Sequence, residues 1–215
     1  MILSTYHLFI ALSGVSGTLI FFRKNTPIHL RLLTLFLFVT LAVEMTATYR
    51  WEQGLYTTQL YNYFIIFQFE FNFYLLYAII HKASTRSWIQ KAGLIFFLFS
   101  IINLFLFQGM DKYNSITYAL GCLFVVGFSV SYFYQLFANP VLVNILHESS
   151  FWLAAALLFY FACSFPLITL VNFMSNLGDR FLSLIASLLS IMNYFLYLLF
   201  SIAFLCQIKI RKYSL

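Results

Sequence analysis

Apolar runs of about twenty residues, each bounded by polar clusters, recur along this 215-residue chain. As helices rising about 1.5 Å per residue, runs of that length match the ~30 Å hydrocarbon core of a bilayer. Only helices and closed barrels can cross lipid, because no water is available there to satisfy a free backbone N–H or C=O. Barrel strands would read as alternating segments of about ten residues, whereas these runs are continuous. Composition agrees: 8% of the chain is charged and 63% hydrophobic, against about 25% and 45–50% in soluble domains. The chain reads as all-α, a polytopic transmembrane helical bundle integral to a cell membrane.

Seven runs qualify, at about 2–22, 32–49, 59–80, 92–108, 116–138, 151–173 and 181–207. The fourth is the shortest. No connection between runs is long enough for a soluble domain, so residues 1–215 read as one transmembrane domain. Orientation follows from lysine and arginine, which are in excess in cytoplasmic loops. Arg23, Lys24, Arg31, Lys82, Arg86, Lys91, Lys209, Arg211 and Lys212 fall in one set of alternate loops, and Arg50, Lys112 and Arg180 in the other, 9 against 3 of the 12 cations. This predicts an outside N-terminus and a cytoplasmic C-terminus. Most of the net charge of +6 is this bias, drawn by anionic headgroups, and it calls for the lipid bilayer as partner and no nucleic acid. Residues 209–213 read as a membrane-edge anchor. Residues 1–5 lack the basic region of a cleaved signal, so the first run is expected to be retained. Cys122, Cys163 and Cys206 fall at different depths, too far apart to bridge, and read as small packing residues.

Ionisable groups inside a span are costly and point to function by default. There are two, Glu44 in the second span and Glu70 near the middle of the third. Tyr63, Glu70, Tyr74 and Tyr77 follow helical steps and share one face; Gln68 and Asn72 point the other way. A helix with polar groups on two sides belongs at the centre of a bundle. Thr40, Glu44, Thr48 and Trp51 form a similar stripe on the second span. On the seventh, Ser183, Ser187, Ser190, Tyr194, Tyr197 and Ser201 recur at steps of four and three, with Asn193 beside them. Such a seven-residue repeat is mainly expected as a close-packed seam; its sharper reading is the wall of a hydrated cavity or proton path. Tyr118, Cys122, Ser129 and Tyr132 make a weaker stripe, and Pro166 is expected to kink the sixth span. The candidate ligand- or proton-binding set is therefore Glu44, Glu70, Tyr63, Tyr74, Tyr77, Ser187, Ser190, Tyr194 and Tyr197. The plainer reading of both acids is a neutral carboxyl bonded to Tyr, Ser or Asn.

Chemistry-bearing motifs are few. His7, His29, His81 and His147 lie at span ends or in loops, with no H-E-x-x-H and no His pair at helical spacing in a span, so no metal is expected. The seventh span has no lysine for a retinal Schiff base, and no phosphate-binding or kinase motif occurs. Neither cofactor nor catalysis is expected. Glu44 late in the second span, a Tyr-rich third span with Glu70, and Phe151-Trp152 ahead of Tyr160-Phe161 form an outline that resembles small seven-pass bacterial inner-membrane proteins of no established activity, some encoded beside sensor kinases. The expected function is a sensory or accessory subunit of a membrane complex, working with a membrane-protein partner or a second copy. The alternative is a proton- or cation-coupled transporter or channel for a small solute.

Overall fold

A computed structural model describes residues 5–138, 145–169 and 179–209. Among these residues all regular structure is helical. The long helices are α1 (Thr5–Phe21), α2 (Ile28–Glu52), α3 (Thr58–Ile79), α4 (Ala83–Ile102), α5 (Ser115–Ala138), α6 (Ser149–Thr169) and α7 (Asp179–Lys209). A π-helical turn, Asn103–Phe107, continues α4, and a 3₁₀ turn, Ile145–His147, precedes α6. Five of these helices are long and apolar enough to cross a membrane: α2, α4 with its π turn, α5, α6 and α7. The α1 helix is apolar but has 17 residues. The α3 helix has the length, at 22 residues, but carries Gln59, Asn62, Gln68, Glu70 and Asn72.

Side-chain placement is the kind that suits helices assembling in lipid. On α1 the outward stripe is Leu8, Leu12, Val15 and Leu19, all exposed, while His7, Ser13, Gly14 and Gly17 turn inward. Apolar outside and small or polar inside is the arrangement for helices whose surroundings are as apolar as leucine. The small residues set the approach distances. A Cβ on Gly17 would fall on the Thr34 hydroxyl of α2, and one on Gly121 would sit 2.6 Å from the Phe69 ring.

The helices alternate in direction and pack in a closed order. The α1 helix lies between α2 and α7, α6 joins α7 to α5, and α3 closes the circuit between α5 and α2. The α4 helix stands outside this ring, against α3 and α5. Four helices touch α3 (α2, α4, α5 and α6), in keeping with its polar residues on two sides.

The α4 helix starts at Ala83, well before its apolar run at residue 92. The backbone ladder does not stop where the hydrophobic stretch does. The added turns are amphipathic, with the Arg86 guanidinium 4.1 Å from the Tyr77 ring and the Lys91 ammonium 5.3 Å from that of Trp88. In the same way α2 starts at Ile28, directly after Pro27, whose fixed φ suits a helix entry. Among the described residues Gly54 and Gly109, at φ +70° and +77°, make the turns that require a left-handed residue. Pro166 lies inside α6, which continues to Thr169. Residues 170–173 of the sixth expected span, and the anchor beyond Lys209, lie outside the described residues.

The two ends of the bundle differ. Arg23, Lys24, Arg31, Lys82, Arg86 and Lys91 share one end. There the loop between α1 and α2 is pinned by Thr26 donating to the Ile20 carbonyl at 2.7 Å and Arg31 donating to that of Arg23 at 2.7 Å. At the other end the loop after α4 is held by amides. Asn62 donates to the Lys112 carbonyl at 2.9 Å and accepts from the Asn114 N–H at 2.9 Å, while Asn103 donates to Asn114 Oδ1 at 2.6 Å and Gln108 Oε1 at 2.8 Å.

Candidate functional site

The ring of six helices encloses a cavity of about 490 Å³ in the half of the bundle nearest the N-terminus of α1. Its wall contains Glu44 and Thr40 from α2, Gln68 from α3, and Ser190 and Asn193 from α7. Seven tyrosines line it as well, Tyr6, Tyr61, Tyr113, Tyr118, Tyr160, Tyr194 and Tyr197, with apolar Phe64, Ile65, Ile168, Ala186 and Leu189 between them. Among the described residues no wall residue comes from α4, and none is a lysine or arginine. At about 30 Å³ per water, this space holds on the order of sixteen waters, the size of a small-molecule site.

The hydroxyls are largely committed within the protein. Tyr61 donates to Glu44 Oε2 at 3.0 Å. The Tyr118 and Ser164 hydroxyls are 2.9 Å apart, those of Tyr194 and Thr5 2.7 Å, and those of Tyr6 and Tyr197 3.4 Å. Ser190 donates to the Ala186 carbonyl on its own helix at 2.8 Å. With those hydroxyls engaged, the tyrosines keep their ring surface for a ligand, beside the Glu44 carboxyl and the amides of Gln68 and Asn193. Tyr113 is the wall tyrosine outside the helices, and burial pushes its phenol well above the ordinary range, so it stays neutral. The side chain of Glu44 lies near the end of α2, where Thr48 donates to the Glu44 carbonyl at 2.9 Å and its hydroxyl lies 3.3 Å from His7 Nε2.

Toward the basic end the space closes. Ile20, Leu30, Leu33, Leu37, Leu75, Leu76, Leu157, Phe161, Ala203 and Phe204 are each 0–1% exposed and belong to one apolar core. The cavity thus ends, on that side, on a packed apolar floor.

The expected site residues divide between three places. Glu44, Ser190, Tyr194 and Tyr197 come together in the cavity. Glu70, Tyr63, Tyr74 and Tyr77 do not reach it. The Glu70 carboxyl turns toward α4, where Oε2 would lie 3.2 Å from a Cβ on Gly93, and Oε1 is buried without a hydrogen-bond partner. Tyr63 is exposed beside Met110, Tyr74 packs on Phe71, and Tyr77 lies under Arg86. Position along its run suggested a mid-membrane depth for Glu70 and could not say which way it points; the Gln68 side of α3 is the one facing the cavity.

Ser187 is exposed and donates to its own Ser183 carbonyl at 2.8 Å. The stripe on α7 is thus not one continuous seam. Its upper serines face outward, and Ser190, Tyr194 and Tyr197 line the cavity. Tyr194 and Tyr197 also reach α1, Tyr194 stacking on Phe9 at 4.8 Å and Tyr197 meeting Tyr6 at 5.9 Å between ring centres.

Tyr6, Tyr61, Tyr113 and Tyr160 enter the wall from four separate segments and have no shared periodicity in the sequence. Tyrosines near span ends ordinarily read as an interfacial belt, so the nearest available signal was their number, 15 in the chain. Among the described residues no group of three or more His, Cys, Asp or Glu is placed to hold a metal ion, and the three cysteines form no disulfide. No family model, curated protein or solved structure matches the chain.

Proposed function

We propose that this is a seven-span membrane protein, N-terminus outside and C-terminus cytoplasmic, that captures a small solute from outside and works as a sensory or accessory subunit of a membrane complex. The observation that carries this reading is a vestibule floored toward the basic end. A polar, tyrosine-lined cavity opens in the half near the N-terminus of α1 and stops on a packed apolar floor at the end bearing most of the cations. A conducting path requires polar groups across the whole bilayer; a recognition site requires a pocket and a rigid support. The short connections supply no catalytic part, so chemistry is assigned to a membrane-protein partner and none to this chain.

A proton- or cation-coupled transporter is the second reading, favoured by the carboxyl of Glu44 within the cavity. It requires the floor around Leu33, Leu76 and Phe204 to part during a cycle. One experiment addresses both. Ser190→Cys is placed in a chain whose Cys122, Cys163 and Cys206 are replaced by alanine, and intact cells are treated with a membrane-impermeant maleimide. Labelling from outside is expected. Protection from labelling until the cells are opened sinks the vestibule reading. Accumulation of a bound solute in proteoliposomes, rather than saturable binding alone, favours the transporter.

A further inference from the structure

We propose that the vestibule takes a small organic cation of the alkylammonium class, with Glu44 as countercharge and the tyrosine rings as its cage. This rests on the cavity being a solute site reached from the N-terminal end. Three observations select the class. Among the described residues the wall has one carboxyl and no lysine or arginine, so it offers a countercharge to a cation and none to an anion. Seven tyrosines surround the space, and the hydroxyls of Tyr6, Tyr61, Tyr118, Tyr194 and Tyr197 are engaged within the protein, leaving ring surface for the ligand. Cations seated on aromatic faces are held by the ring quadrupole, most strongly where water is excluded. Finally, about 490 Å³ is far more than a bare metal ion fills, and among the described residues no cluster of metal ligands is present.

The shared chemistry, a substituted ammonium, can arrive as a free solute or as a lipid headgroup. The test uses the full chain with the Ser190→Cys label site in nanodiscs. Choline and its neutral carbon isostere, 3,3-dimethylbutan-1-ol, are compared as protectants in phosphatidylglycerol discs at constant ionic strength set with KCl. Choline is expected to slow maleimide labelling at concentrations about tenfold or more below the isostere, and Glu44→Gln to remove that protection. Tyr194→Leu, which takes away a ring face, is expected to weaken it and serves if Glu44→Gln does not fold. Slow labelling in phosphatidylcholine discs with no added choline assigns the site to the headgroup; protection only by added choline assigns it to the free solute. Equal protection by the isostere or by KCl overturns the cation assignment while leaving the vestibule standing, as does protection that survives Glu44→Gln or labelling that nothing slows. Absence of any labelling in the Ser190→Cys variant overturns the vestibule itself.

Discussion

At Gly121 a helix of the ring meets an aromatic ring with no room between them. Phe69 is fully buried, and its ring is held by Phe73, Phe96, Tyr118 and Phe161, with centres 5.1–6.5 Å away. A methyl group at Gly121 would come within 2.6–2.7 Å of that ring, which has nowhere to go. Gly121→Ala should therefore lower stability by about 1–3 kcal/mol through overpacking. Gly127→Ala, on the same helix with nothing within 4 Å, should be neutral or slightly stabilising. Thermal unfolding of the two variants in one detergent checks the difference, and equal midpoints would refute the tight crossing. The two acids differ in the same local way. Glu44 lines the cavity and Glu70 turns to α4, so Glu70→Gln should leave both labelling at Ser190→Cys and its protection by choline unchanged, whereas Glu44→Gln should abolish the protection. An equal loss in both variants would show that Glu70 communicates with the vestibule.

Two elements behave differently from what their sequence pattern suggested. The α7 stripe has the period of a packing seam, and in a seam Ser187→Leu would force helices apart. Ser187 is instead exposed and bonded to its own helix, so both Ser187→Leu and Ser187→Ala should lie within about 0.5 kcal/mol of the parent. A large loss in the leucine variant would return Ser187 to a buried interface. The π turn that continues α4 is the opposite case, an irregular element secured by side chains. Asn103 donates to Asn114, Gln108 and, at 3.1 Å, Thr117, all three at the cavity end. Asn103→Leu leaves those acceptors without this donor and should cost about 1–3 kcal/mol. The loop carrying Gly109 and Tyr113 should become more sensitive to protease before the bundle unfolds. Because Tyr113 is part of the wall, choline protection should weaken in the same variant.

For the whole molecule, the closed order of α1, α2, α3, α5, α6 and α7, with α4 outside, sets the described helices around one polar cavity. Orientation is the property that gives this cavity meaning, and the 9-to-3 cation bias predicts it. A reporter fused after Leu215 should be active in the cytoplasm, and one inserted after Gly54 should be active outside. Both active in the same compartment would contradict seven spans.

Helical class and the approximate placement of the apolar runs could be read directly from the chain, because hydrophobic length and helical period are local properties that lipid enforces on each segment separately. The presence of Glu44, Ser190, Tyr194 and Tyr197 among the candidates was legible for the same reason: each is polar where its own helix is otherwise apolar. Which face of α3 turns inward was not legible, since α3 has polar residues on both sides and only its neighbours choose between them. Packing placed Gln68 in the cavity and Glu70 against Gly93. The tyrosine wall was likewise hidden. Tyr6, Tyr61, Tyr113 and Tyr160 are separated by tens of residues and converge only when the ring closes, and no local period records a contact made between helices.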